Sequence, residues 1–506
     1  MNKNGRKRIG LLPFLKNAAQ CSRAPASATK PQPTYVLGNS SADLDSIISA
    51  IIYSYFATPA KSQEGRQYVP VINLPDVPAG RELRRLRPEF TAALNLATQR
   101  PWNKVQPRST VGLNTLPEDD NTDDLLKDSI LTVADLRGYV LNKIKLGDQA
   151  FSENSQLGLN LSIFMVDWNV LPTIPPYRIG IDGISNRVED VNVSVVGCID
   201  HHEDEGFISK HSMSKSGTES EPQCIQTGVG SCTSIIVREL RNRGWWNDCN
   251  SSTIDGTLDD TAVIGERSNL DTQDAVYESQ AAQLALAAIL ADTANMTNES
   301  KVSDVDRETV TFLENKISQC TSINWDRDAF YSHIMDAKTS SVDFLTVDET
   351  LGRDYKEWVD PVRPGHNIKI GICSVVKPIS WLFEKCGSEI SQRGCNEAFS
   401  ETLDSFSKSR GLDIVAIMTA FSSPLENEFQ RELVVDIQND EYSSKLDDFK
   451  NAATDDLGLK DWLLNGEEIQ DLGAIRGKTR IWRQCDVTKS RKQVAPLVRK
   501  IFTGGI

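Results

Sequence analysis

Histidine is scarce in this sequence: 506 residues carry five, and two of them, His201 and His202, are adjacent. Cysteine occurs ten times but never as a CxxC pair, which argues against a zinc knuckle, and its scatter from Cys21 to Cys485 suggests no disulfide framework. A reducing compartment is the expected home. No apolar run approaches the roughly 20 residues that cross a bilayer, so no membrane partner is expected. Basic excess is lacking as well. The formal net charge of −15 argues against broad electrostatic binding of nucleic acid, although a locally basic cleft in an acidic protein can still hold a polyanion. What is present, 39% hydrophobic and 25% charged residues, suits a soluble globular chain of two or three domains with a sizeable core.

Residues 1–33 contain Lys3, Arg6, Lys7, Arg8, Lys16, Arg23 and Lys30 and no acid. They read as a disordered basic leader, since Pro13 spoils a clean amphipathic helix; a mitochondrial transit peptide is the alternative to a cytoplasmic protein. From Thr34 the pattern alternates. Tyr35-Val36-Leu37, Tyr68–Leu74, Ile130–Val133, Leu161–Val166 and Val193–Ile199 are predicted strands. Ser46–Ala57, Arg81–Leu96, Leu136–Lys145, Ala275–Leu290 and Asp304–Ser318 are predicted helices, with Ser231 near the cap of another. Residues 100–128 and 250–274 read as loops. Strands separated by helices imply a parallel sheet, whose ligands collect at the carboxyl ends of the strands. Fresh strands at Ile368–Val376, Asp413–Thr419 and Glu432–Ile437 predict a second, smaller α/β domain on a mixed sheet. The expected division is 34–325 and 326–506.

The strand Val193–Ile199 runs into Asp200-His201-His202. Strand alternation would turn Asp200 and His202 one way and His201 the other, so that one imidazole ligates a metal and the next faces what the metal holds. A turn that happens to carry two histidines is the plainer alternative. Further acids fall where elements end: Asp43 and Asp45 after the first strand, Asp167 before Trp168-Asn169, and Asp292 after a run of Ala and Leu. Asp43 and Asp45 would also serve as helix caps, and Asp167 as an ordinary turn acid. A carboxylate buried at Asp292 would be costly without a counter-charge. Several carboxylates and a His pair at one rim of one sheet have the composition of a two-metal site. Such a site generates a bridging hydroxide and polarises a phosphoryl oxygen, the chemistry of phosphoanhydride or phosphodiester hydrolysis.

Gly38-Asn39…Asp43-Leu44-Asp45-Ser46, Val166-Asp167-Trp168-Asn169, Asp200-His201-His202 and Ile289-Leu290-Ala291-Asp292-Thr293 resemble, in that order, the four motifs of the DHH phosphoesterase superfamily. Arg353-Asp354-Tyr355-Lys356 and Ser490-Arg491-Lys492 resemble its DHHA2 subgroup. Gly230-Ser231-Cys232-Thr233-Ser234 and Ser380-Trp381-Leu382-Phe383 are most similar to fungal cytosolic exopolyphosphatases, with family II inorganic pyrophosphatases as near relatives. The resemblance implies an N-terminal DHH domain and a C-terminal DHHA2 domain. It implies two divalent metal ions, Mg²⁺ first and Mn²⁺ or Co²⁺ next, held by Asp43, Asp45, Asp167, His201 and Asp292, with Asp167 bridging. Catalysis would then fall to Asp167, His201 and His202, with His202 facing the substrate and Asp200 behind the metal ligands. Lys356, Arg491 and Lys492 would hold inorganic polyphosphate, with Ser490 and His366 as further contacts.

Asn39 stands where the pyrophosphatases carry a metal-binding histidine, and as an amide-oxygen ligand it would favour Mg²⁺ over softer ions. Trp168 is a second departure. The expected protein is a monomeric exopolyphosphatase that binds neither nucleic acid nor membrane; a pyrophosphatase or a non-catalytic DHH-type scaffold is the rival reading. His211 and His333 are expected to be surface or structural.

Overall fold

A computed structural model describes residues 8–23, 32–61, 65–99, 116, 118–147, 159–174, 178–189, 191–208, 221–247, 264–320, 325–390, 394–422, 428–464, 467–468 and 478–504. His211 lies outside them, as do 1–7, 24–31, 100–115 and 248–263. Two compact units divide between Lys338 and Thr339. No helix among the described residues is long and apolar enough to cross a membrane.

Unit 1 is built on five strands: β1 Thr34–Leu37, β2 Tyr68–Val71, β3 Leu159–Val166, β6 Val191–Asp200 and β7 Gln223–Ile225. The short pair β4 Thr173–Ile174 and β5 Arg178–Ile179 forms a hairpin apart. Every pairing in the main sheet is parallel, in the order β2-β1-β3-β6-β7. The chain leaves β1 towards β2 on one side and returns to β3 on the other. The carboxyl ends of β1 and β3 therefore flank a topological switch point, where such sheets open a crevice. The helices are α1 Leu11–Arg23, α2 Leu44–Ala60, α3 Arg81–Leu86, α4 Pro88–Ala97, α5 Asp120–Ser129, α6 Val133–Gly147, α7 Cys232–Asn242, α8 Ile264–Asp292, α9 Asp304–Ser318 and α10 Arg327–Ser341, the last running across the division. α2 is apolar all round and every residue from Leu44 to Ala57 is buried, as expected of a central helix.

Several expectations need correction. Residues 8–23 do not belong to a disordered leader. Leu11, Phe14, Leu15, Ala18 and Ala19 of α1 are buried, and Pro13 sits in the first turn, where its missing N–H costs nothing. Arg8 pairs with Glu278 of α8, which also binds Lys316 of α9 at 2.7 Å. Ile130–Val133 is no strand: only Thr132 bridges Ile72 before α6 begins. The predicted helix Arg81–Leu96 is two helices, since Pro88 starts a new one. The loops assigned to 100–128 and 250–274 contain α5, capped by Asp119, and the start of α8.

Unit 2 carries the expected mixed sheet, in the order β13-β16-β12-β10-β9-β8, with β11 alongside β12. Its strands are β8 Tyr355–Arg363, β9 His366–Val375, β10 Ile414–Thr419, β11 Phe421–Ser422, β12 Phe429–Ile437, β13 Leu459–Asp461 and β16 Thr479–Gln484; β14 Leu463–Leu464 and β15 Glu467–Glu468 pair separately. Only β9 and β10 run parallel. Side chains alternate across the sheet. Ile414, Ala416 and Met418 pack with Phe449 of α14 Lys445–Leu457 and Val494, Val498 and Phe502 of α15 Arg491–Thr503. Val415 and Ile417 face the other way, towards Phe383, Phe399 and Phe406 on the helices Ile379–Glu389 and Cys395–Arg410. Burial of each such side chain contributes about 1.5–3 kcal/mol.

Candidate metal centre

The acids of unit 1 meet at the switch point. Gly38 ends β1 against α2 so closely that a Cβ would lie 2.7 Å from Ser46 Cβ. The chain then turns through Asn39–Asp43 into α2. Asp167 follows β3, and Asp200-His201-His202 ends β6. Between them β6 carries one extra residue: Ile163 pairs with Val195 but Phe164 with Gly197, a bulge that resets which face the last residues of β6 address.

Asp167 is buried with a left-handed backbone at φ +53°, a conformation costly for any residue but Gly. Its Oδ2 accepts hydrogen bonds from Asn39 Nδ2 (2.8 Å) and Ser46 Oγ (2.6 Å). Its Oδ1 is buried and accepts none among the described residues, yet lies 3.2 Å from His201 Nε2 and 3.5 Å from His202 Nδ1. The second nitrogen of His201, Nδ1, is 2.9 Å from the Val229 carbonyl oxygen and must donate to it. In the neutral ring Nε2 then carries a lone pair that faces a carboxylate oxygen. Two acceptors at that distance repel unless a cation or a proton lies between them. The donor set, imidazole nitrogen and carboxylate oxygen, suits a divalent metal.

Ligand atoms of Asp167, His201 and His202 lie within 4.8 Å of one another, as do those of Asp45, His201 and Asp292. His201 is common to both sets. Burial, with the charges of Asp43 and Asp45, pushes the Asp167 carboxyl up to about 7 against the favourable pull of His201. Burial, then Asp45 and Asp43, raises Asp292 well above the ordinary carboxyl range. Asp45 and Asp167 are buried and Asp43 and Asp292 half-buried, and carboxylates crowded in this way are stable when ionised only beside positive charge.

Asp45 is held by the N-terminus of α7. Ser231 Oγ (2.8 Å), Thr233 N (3.0 Å) and Thr233 Oγ1 (2.7 Å) donate to Oδ1, and Cys232 N (2.7 Å) to Oδ2. Ser231 is the N-cap residue of α7, in line with its expected place near the cap, but its hydroxyl goes to Asp45 and not to its own helix. The first turn of α7 has no acid of its own, and its dipole and amides take one from α2.

Asp43 joins neither ligand set. It is the N-cap of α2, accepting from Ser46 N at 3.0 Å, and acts on the centre through its charge. Asn39 turns its amide nitrogen to Asp167, while its Oδ1 accepts from Ser41 N (3.0 Å) and Ser41 Oγ (2.5 Å). Its oxygen is thereby committed to Ser41, so Asn39 orients Asp167 rather than presenting a ligand atom.

The expected opposition of His201 and His202 is not seen. The rings lie 4.5 Å apart at 89° and both reach Asp167, because the chain bends out of the strand at His201. Asp200 drives that bend. It is fully buried, and its Oδ1 accepts from His201 N (2.7 Å), His202 N (3.2 Å) and His202 Nδ1 (2.8 Å) while Asn169 Nδ2 (2.5 Å) donates to Oδ2. Burial pushes its carboxyl up, but His202, His201 and Asn169 together hold it below the usual range. Ser46, Asn169 and the amides of Cys232 and Thr233 are functional parts that sequence reasoning missed. Ser46 and Asn169 lie inside the quoted motifs, but backbone donors leave no trace in a residue pattern.

In unit 2, Arg491 Nη1 lies 2.8 Å from Asp354 Oδ1 and 2.9 Å from the Asp354 carbonyl oxygen, which brings the start of α15 beside the strand that carries Lys356. Ser490 is the N-cap of α15, with its amide donating to Gln493 Oε1 at 2.9 Å. Lys492 is exposed. His366 is not part of this group. It pairs with Arg363 at the far end of β8, seven residues from Lys356 or about 24 Å along a strand, and lies 3.4 Å from Glu441 Oε2. His333 is exposed on α10 and bonds its own helix at the Ala329 carbonyl oxygen.

Residues 333–501 match the family model of the DHHA2 domain. The match covers most of the second unit. A Schizosaccharomyces pombe protein described as "Putative exopolyphosphatase" is 27% identical over 495 residues, 98% of this chain and 95% of that protein. A crystal structure described as a "Methanococcus jannaschii putative family II inorganic pyrophosphatase" aligns with 94% of this chain and 100% of its own, at 16% identity and a TM-score of 0.43.

Proposed function

We propose that this protein is a metal-dependent exopolyphosphatase, removing terminal phosphate from linear inorganic polyphosphate in the cytoplasm. The observation that carries the metal reading is the buried contact of Asp167 Oδ1 with His201 Nε2, 3.2 Å apart, while the Val229 carbonyl holds the His201 proton on Nδ1. Asp45, Asp167, His201 and Asp292 would hold divalent cations, with His202 and Asp43 beside them. Bound there, the cations would supply an acidified water and neutralise charge on the phosphoryl oxygens. The chain's own contribution is orientation. Ser46 and Asn39 fix Asp167, the α7 amides fix Asp45, and Val229 sets the His201 tautomer. Asp200 accepts from His202 Nδ1 and thereby aims that ring, which is 29% exposed and placed to meet substrate.

The preference for a polyanion is supported by the S. pombe relative and by the first turn of α15. That turn carries Arg491 and Lys492 and no acid of its own; Arg491 pairs with Asp354, and the exposed Lys492 sits at the positive end of a helix dipole, an arrangement a bound phosphate would stabilise. Phosphate release should be followed from polyphosphates of several lengths and from pyrophosphate, with Mg²⁺, Mn²⁺ or Co²⁺. Turnover on long chains exceeding that on pyrophosphate is expected; the reverse would make the protein a pyrophosphatase. Asp167→Ala and His201→Ala should each abolish release while circular dichroism shows a folded chain, and near-normal rates in either would remove the proposed site.

A further inference from the structure

The loop 228–233 has two tasks at the centre. The Val229 carbonyl accepts from His201 Nδ1, and Ser231, Cys232 and Thr233 bind Asp45. What holds that loop is a carboxylate outside every motif. Asp306, in the first turn of α9, is fully buried, and its Oδ2 accepts from Gly230 N (2.8 Å), Ser303 N (2.9 Å) and Ser303 Oγ (2.6 Å). Gly230 lies between Val229, which performs the first task, and Ser231, the first of the three residues that perform the second. It is wedged tightly: a Cβ there would fall 2.8 Å from the Lys301 carbonyl oxygen and 2.8 Å from Thr293 Cγ2, and Thr293 follows Asp292 directly.

A buried carboxylate that only capped α9 would need Ser303 alone. Asp306 spends a third bond across 76 residues on one amide of the loop, and its Oδ1 accepts none among the described residues. We propose that Asp306 is a positioning residue: through the Gly230 amide it fixes the loop that sets the tautomer of His201 and the orientation of Asp45. The inference rests on the metal reading above and adds a group to it that touches neither metal nor substrate. Without the Gly230 anchor the Val229 carbonyl drifts, His201 loses the bond that holds its proton on Nδ1, and the ligand face of the ring is no longer fixed. Partners of this kind are worth about 10–100-fold in metal affinity.

The test is calorimetric titration of Mn²⁺ into the full chain. Asp306→Ala should weaken Mn²⁺ binding at least tenfold, and Asp306→Asn, which retains an acceptor for Gly230 N, should restore it to within about threefold. Ser303→Ala removes the cap of α9 but leaves the Gly230 bond. It should lower the melting temperature while leaving Mn²⁺ affinity within twofold of wild type. Gly230→Ala, which forces the same loop away from Lys301 and Thr293, should weaken Mn²⁺ as Asp306→Ala does, and serves if that variant folds poorly. Equal affinity in Asp306→Ala and wild type overturns the inference, as does a loss in Ser303→Ala matching that in Asp306→Ala. A wild-type chain that takes up no Mn²⁺ at all removes the metal reading, and this role with it.

Discussion

Asp167 is one of a few non-glycine residues with a left-handed backbone, and three more follow Asp292 in sequence: Ala294, Asn295 and Met296 at φ +50°, +56° and +65°. Each such L-residue costs roughly 1–2 kcal/mol, less for Asn. The turn is held by Thr293, whose hydroxyl donates to the Ile289 carbonyl and accepts from Met296 N, and by Asn295, which donates to Asp328. Ala294→Gly should therefore raise stability by about 0.5–1 kcal/mol in urea unfolding, the left-handed penalty exceeding the entropy cost of glycine. A loss of stability would show that the Ala294 methyl contributes packing that outweighs its strain. None of this was legible in the sequence, because Ala and Met carry no turn signal. The ligand residues were legible for the opposite reason. Asp167, His201 and Asp292 stand just beyond apolar runs and Asp45 two residues after Asp43, whereas Ser46 and Asn169 are ordinary polar residues whose contacts exist only in three dimensions.

At the scale of elements, α1 shows where composition misleads. A basic, acid-free stretch reads as a tail, yet its partners lie elsewhere in the chain: Arg8 meets Glu278, Lys16 meets Asp128 at 2.9 Å, and Arg23 donates to the Tyr139 hydroxyl at 3.0 Å. Glu278 and Lys316 are both buried, so Lys316→Met leaves Glu278 with Arg8 alone and should cost about 3 kcal/mol in urea unfolding. A loss below 1 kcal/mol would mean that Arg8 suffices. The opposite surface logic applies to α15. Lys492 is exposed at its first turn, and Lys492→Ala should weaken polyphosphate binding most at low ionic strength, lowering the slope of log affinity against log salt by about one. An unchanged slope would take Lys492 out of the substrate site. In the second sheet, β9, β10 and β12 were legible as apolar runs. β8 and β16 were not, since Lys356, Glu357, Asp360, Arg480 and Arg483 interrupt their apolar pattern.

For the molecule as a whole, the strand order β2-β1-β3-β6-β7 explains why three of the four motifs of unit 1 converge: parallel strands deliver the loops after β1, β3 and β6 to the same rim, and the end of α8 adds Asp292. The rim collects carboxylates faster than it supplies cations, and burial has already raised Asp167 and Asp292. That imbalance adds to the Asp167–His201 contact as support for the proposed metal site. The most direct measurement is phosphate release from long polyphosphate by the chelator-stripped protein before and after adding back Mg²⁺, Mn²⁺ or Co²⁺. No release before and rapid release after is the predicted result. Release that persists undiminished after chelation, or that no added metal ever evokes, would contradict it.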